Sequence, residues 1–185
     1  MGNIYLDMEK EFSVMYAGWE GSAQFEGTGA RLDRYFGEMC WDNYKIEEEV
    51  KKHFKSTFKD GYDEMLIVKD IEVWTLCPHH ILPCEFSVNI GYIPNGYVLG
   101  LSKFARVAVT LGKRPVMQEM YTREVALAVD SNLHPEGVGV YVVGKHGCMG
   151  CRGIRQSQSS VSTTVLLGSF KEDSVVRQEF YSNLK

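Results

Sequence analysis

Long apolar runs are missing from this sequence. A run such as Val138-Gly139-Val140-Tyr141-Val142-Val143 is only as long as a strand, so no membrane helix is expected. The glycine-rich loops G-x-x-x-x-G-K-[ST] and G-x-G-x-x-G are absent too, which excludes a P-loop or Rossmann nucleotide site. With no G-x-S-x-G elbow, Ser157-Gln158-Ser159-Ser160 reads as a polar loop and not a nucleophile site. There is no cationic excess. Twenty Lys and Arg against 24 Asp and Glu leave a formal charge of −4, which argues against nucleic acid and confines any anionic ligand to a local basic pocket. The first residues lack a basic stretch followed by an apolar run, which predicts a cytoplasmic protein. Five cysteines, an odd number without a secretory signal, favour reduced thiols or metal ligands over a disulfide framework.

What is present is an ordinary globular composition, 44% hydrophobic and 24% charged over 185 residues. That is enough for one domain with a helical appendage. Residues 1–60 read as the appendage, with helical spacing over 31–39 and 44–54 and with Glu47-Glu48-Glu49 set to pair with Lys51-Lys52. Residues 61–185 read as the main domain. Strands are predicted over 65–76 and 86–93, the second ending at the turn Pro94-Asn95-Gly96. Ser102 is placed to cap a helix over 103–111 that Gly112 ends, and Pro115 to open a longer one through Leu133. Strands over 137–144 and 161–167 follow. Asp173 or Ser174 then opens a final helix with Val176, Phe180 and Leu184 on one face. The order of elements is an α+β pattern.

The chemistry concentrates in Cys77-Pro78-His79-His80 and His146-Gly147-Cys148-Met149-Gly150-Cys151. Thiolate and imidazole together suit zinc. The spacing is compatible with two arrangements. Cys77, His80, Cys148 and Cys151 would make a closed structural site, whereas three ligands with His79 and His146 as neighbouring proton carriers would make a catalytic one. Lys103 and Arg106 at one helix start, and Arg152 and Arg155 after the second cluster, could together form a polyanion pocket. Gln118-Glu119 opens the long helix, where a carboxylate either complements the helix dipole or accepts the N–H donors of a guanine edge.

Taken in order, Tyr62-Asp63-Glu64-Met65, Val68-Lys69-Asp70-Ile71, Cys77-x-His79-His80, Tyr92-Ile93-Pro94, Gly100-Leu101-Ser102-Lys103, Arg106, Gln118-Glu119, His146-x-Cys148 and Arg152-Gly153 resemble GTP cyclohydrolase I from about Arg31 onward. The resemblance implies a tunnelling fold: an antiparallel sheet with helices on one side, joined sheet to sheet into a barrel and stacked as a homodecamer of two pentamers. It implies Zn2+ on Cys77, His80 and Cys148, with His146 transferring protons and His79 beside it. Substrate contacts fall to Ser102 near the sugar and phosphates, Gln118 and Glu119 at guanine, and Arg31, Lys103, Arg106 and Arg152 at the triphosphate, Arg31 crossing a subunit interface. The implied reaction opens GTP at C8, releases formate and recloses the ribose to give 7,8-dihydroneopterin triphosphate, for pterin and folate or for 7-deazaguanine biosynthesis.

The sequence departs from the family pattern at Pro78, where Glu is usual, at Gly29, where Pro is usual, and at Cys151, which adds a thiol. Cys151 keeps open a non-catalytic, zinc-stabilised module that binds guanine nucleotides. A nitrile reductase of the same fold would use a cysteine nucleophile and NADPH, and would leave the Cys77, His80 and Cys148 set without a purpose.

Overall fold

The structure, a computed structural model, describes residues 4–184 and divides into two compact units at the Trp41–Asp42 boundary. In the smaller, helix α1 (Ile4–Met15) lies against α2 (Thr28–Met39), with a 3-10 turn at Ser22–Phe25 between them. The Glu9 carboxylate accepts the N–H groups of Gly27 (3.0 Å) and Gly29 (2.6 Å), two donors left orphaned at the start of α2. A Cβ at position 29 would meet the Tyr5 carbonyl oxygen at 2.8 Å, so the close approach of α1 to α2 depends on glycine there.

The larger unit runs α3 (Asn43–His53), β1 (Thr57–Lys59), β2 (Leu66–Leu76), β3 (Pro83–Ile93), β4 (Tyr97–Leu99), α4 (Leu101–Leu111), α5 (Gln118–Leu133), β5 (Gly137–His146), α6 (Gly147–Gly150), β6 (Val161–Gly168), α7 (Ser169–Glu172) and α8 (Ser174–Asn183). Asp42 caps α3 by accepting the Lys45 N–H, and α3 packs on α4 while β1 pairs with β4. Residues 42–60 therefore pack with the sheet-bearing unit.

Strands β2, β3, β5 and β6 form one antiparallel sheet in the order β2-β3-β5-β6. Alternation decides its faces. Phe86, Val88, Ile90 and Tyr92 of β3 and Val138, Val140 and Val142 of β5 are fully buried on the face that α4 and α5 cover. Glycines at 91 and 139 on the opposite face leave room for Phe170 of α7 and Phe180 of α8, so one end of that face is covered as well. A bulge between Val68 and Ile71, with Asp70 at φ 55°, bends β2.

Two helix starts differ from the sequence expectation. Gly100, not Ser102, precedes the first turn of α4, and Ser102 lies exposed inside that turn without a capping bond. Pro115 does not open α5. The chain there stays extended, Val116 donates its N–H to the Leu76 carbonyl (3.0 Å), and the helix begins at Gln118. The end of the chain follows its pattern: Asp173 accepts the Val175 N–H (2.7 Å), and Phe180 is fully buried.

Candidate active site

Because β3 pairs with both β2 and β5, the loop that leaves β2 and the end of β5 meet at one end of the sheet, with Cys84 opposite His146. The loop is tight. Cys77 donates its N–H to the Leu82 carbonyl (2.9 Å), Ile81 donates to the Cys77 carbonyl (2.8 Å), and Ile81 takes a left-handed φ of 55° that β-branched residues rarely adopt. Strand β5 passes through His146 into α6, which carries Cys148. A Cβ at Gly147 would meet the Pro83 carbonyl at 2.8 Å, so glycine lets this turn close on β3.

The fold brings ligand atoms of Cys77, His80 and Cys148 within 4.8 Å of one another, with Cys77 Sγ 3.7 Å from His80 Nδ1. This group could hold a metal ion. Cys77 is buried, Cys148 half-buried and His80 exposed, so one side faces solvent. Burial, and then the neighbouring Cys77, push the Cys148 thiol up, so a cation is what would make it a thiolate. Cys151 is exposed and lies outside the group.

A cavity of about 190 Å³ adjoins these ligands, lined among others by Cys77, His79, Gln118, Glu119, His146 and Cys148. His79 is exposed, its Nδ1 3.8 Å from Cys77 Sγ. Burial lowers the His146 pKa, and the Glu119 carboxylate works against that shift. Glu119 presents its carboxylate from the first turn of α5. Gln118, its neighbour, turns inward and is 2% exposed. Its amide NH2 donates to the carbonyls of Val161 (2.9 Å) and Val142 (3.2 Å) and lies 3.1 Å from Thr163 Oγ1, while Oε1 faces His146 Nε2 at 2.8 Å.

The basic residues are dispersed. Lys103 and Arg106 share one face of α4, whose Phe104 ring meets that of Tyr92 at a tilt (centroids 5.0 Å). Tyr92 is eight residues along β3 from Cys84, so within one chain these cations sit roughly 25 Å from the metal-competent group. Ser102 is on the same helix start. Arg152 and Arg155 are exposed in the loop after α6. Arg31, in the smaller unit, donates to the Gln24 and Glu26 carbonyls and to Thr28 Oγ1. Sequence reasoning passed over Cys84, whose Sγ is 3.3 Å from His146 Nδ1. The signal was there in the β3 alternation Cys84, Phe86, Val88, Ile90, Tyr92, which assigns Cys84 to the inner face.

An antiparallel sheet backed by α4 and α5, with a metal-competent thiol–imidazole group and a half-buried histidine at one end, is the α+β arrangement that the sequence order implied. The profile of the GTP cyclohydrolase I family matches residues 19–185. GTP cyclohydrolase 1 of Streptococcus suis is 44% identical over 138 residues, 74% of each chain. That of Coxiella burnetii is 40% identical over 141 residues, 76% of this chain and 75% of the other. The human enzyme is 43% identical over 128 residues, 69% of this chain and 51% of its own length. The chain belongs to the GTP cyclohydrolase I family. Among solved structures, an archaeosine synthase QueF-like protein superposes with a TM-score of 0.45 at 22% identity, covering 60% of this chain and 97% of that one.

Proposed function

We propose that the protein binds zinc through Cys77, His80 and Cys148 and converts GTP to 7,8-dihydroneopterin triphosphate and formate. The observation that carries this reading is that two of those ligands, Cys77 and Cys148, meet His146 and Glu119 at one cavity, with His80 completing the group beside it. The fit to zinc is geometric. Tetrahedral Zn–S and Zn–N bonds of about 2.3 and 2.0 Å separate a sulfur and a nitrogen ligand by about 3.5 Å, and Cys77 Sγ and His80 Nδ1 are 3.7 Å apart. With Cys151 outside the group, three protein ligands leave a coordination position open, which favours the enzyme over a closed, purely structural site. Bound there, zinc supplies Lewis acidity that brings the pKa of a water to about 7.

The protein's own residues supply the remainder. Glu119, exposed at the cavity, accepts from the N1–H and amino group of guanine, a pairing that adenine cannot make. His146 carries the proton that N7 needs as the imidazole ring opens, and His79 stands at the solvent side for later transfers. Gln118 acts through His146, since its amide hydrogens are already committed to Val142, Val161 and Thr163. Ser102, Lys103, Arg106, Arg152 and Arg31 bind the sugar and triphosphate. With Lys103 and Arg106 at the far end of the sheet, a complete site takes these cations from an adjoining copy, in line with a homodecamer in the cytoplasm.

Cys148→Ser tests the ligand set. The parent should hold one zinc per chain by elemental analysis and release formate and an oxidisable, fluorescent pterin from GTP. The variant should lose the metal and at least about a hundredfold in rate. A metal-loaded variant with parental activity would sink the assignment, and a parent that holds zinc but releases no formate would favour the non-catalytic module.

A further inference from the structure

His146 is held at both ring nitrogens, and the two partners fix where its proton sits. Gln118 is the first of these partners. Its terminal amide has one nitrogen and one oxygen to place, and two of its neighbours, the Val142 and Val161 carbonyls, can only accept. The NH2 must therefore face them, and Oε1 must face His146 Nε2 at 2.8 Å. An amide oxygen only accepts, so Nε2 bears the hydrogen. In the neutral ring Nδ1 is then a bare acceptor, and the group opposite it is the Cys84 thiol at 3.3 Å. Cys84 is 1% exposed, and its S–H is the donor that a bare nitrogen acceptor at 3.3 Å requires. The Leu82 carbonyl, at 3.9 Å from the same sulfur, is the more distant of the two acceptors for that hydrogen.

We infer that Cys84 is a positioning residue whose thiol donates to His146 Nδ1 and thereby keeps the ring's transferable proton on Nε2, the edge it shares with Gln118 beside the cavity. The inference deepens the proposed reaction and rests on His146 as its proton carrier. A carboxylate in this place would accept from Nδ1–H and select the other tautomer. The thiol selects the reverse, and the strand register that sets Cys84 opposite His146 supplies it without any loop. The site thus joins two elements not in the ligand set: β3 through Cys84 orients the ring, and α5 through Gln118 accepts its proton until a base displaces that bond.

The test is nitrogen NMR of the metal-loaded, full-length protein labelled at histidine, run beside steady-state formate release from GTP. In the parent and in Cys84→Ser, Nε2 of His146 should carry the hydrogen and Nδ1 should show the shift of a hydrogen-bond acceptor. In Cys84→Ala the Nδ1 signal should move towards that of a free, unprotonated nitrogen. Its kcat should fall roughly five- to tenfold at unchanged KM, the scale of one lost hydrogen bond, and Cys84→Ser should recover most of that rate. A proton on Nδ1 in the parent overturns the inference, as does a Cys84→Ala protein whose Nδ1 signal and kcat equal the parent's. If Cys84→Ala does not fold, the parent spectrum decides. A parent with the Nε2 proton that releases no formate would defeat the proposed reaction and leave the hydrogen-bond assignment standing.

Discussion

Gln118 and Glu119 show what one residue's difference means at the start of a helix. Neighbours there point about 100° apart, so Glu119 stays exposed at the cavity while Gln118, which also lines it, is buried against the end of β5. The resemblance implied a guanine contact for both; Gln118 has its amide hydrogens on Val142, Val161 and Thr163, while Glu119 stays exposed. What lets Gln118 in is Gly144 on β5, since a Cβ at that position would overlap the Gln118 amide. Gly144→Ala should cost about 1–3 kcal/mol of stability through overpacking and lower kcat, because a displaced Gln118 leaves His146 Nε2 without its acceptor. Urea denaturation and formate release read the two effects, and parental values in both would count against this account. The two clusters that make up the metal-competent group were legible in the sequence because cysteine and histidine at short spacing are chemically unusual, although spacing alone also admitted Cys151. Cys84 was not, because a lone cysteine in a run of buried residues looks like any other small apolar side chain.

Among the elements, the strands were the most legible, since β3 and β5 alternate cleanly between the two faces. The beginnings of α4 and α5 were not. Ser102 and Pro115 are common helix starters, but here the backbone after β4 turns directly at Gly100, and residues 115–116 are tied to the end of β2 by the Val116–Leu76 bond. Tertiary pairing overrode local preference. The packing of α3 on α4 makes a separate prediction. His53 Nε2 lies 3.2 Å from Thr110 Oγ1, and burial first, then Lys103 and Arg106, lower its pKa. In the unfolded chain the imidazole titrates near 6.5, so below that pH the unfolded state binds the extra proton. The stability present above the ordinary value is lost as pH falls towards the folded one. Between about pH 7.5 and about pH 5.5 the parent should lose more unfolding free energy than His53→Gln. Equal losses in urea titrations would show that His53 plays no such part.

For the whole molecule the decisive fact is distance. Ser102, Lys103 and Arg106 resemble parts of the site, yet they occupy the opposite end of the sheet from Cys77, His80 and Cys148 in the same chain. No local pattern could have told that, because which end of a strand a helix start reaches depends on the pairing of the whole sheet. If one copy's cations complete another's metal group, mixed oligomers assembled from Cys148→Ser and Arg106→Ala chains should recover activity that neither variant has alone. Absence of recovery after confirmed mixing would confine the site to a single chain.

The outer strands of the sheet add a further consequence. They are not alike: β2 is long and bent by its bulge, and β6 is shorter, without a register shift in its pairing to β5. A molecule with two different edges is a plug at one side and a socket at the other. Copies joined through both must follow head to tail, and such a series either grows without end or closes when the turn accumulated at each joint returns the last copy to the first.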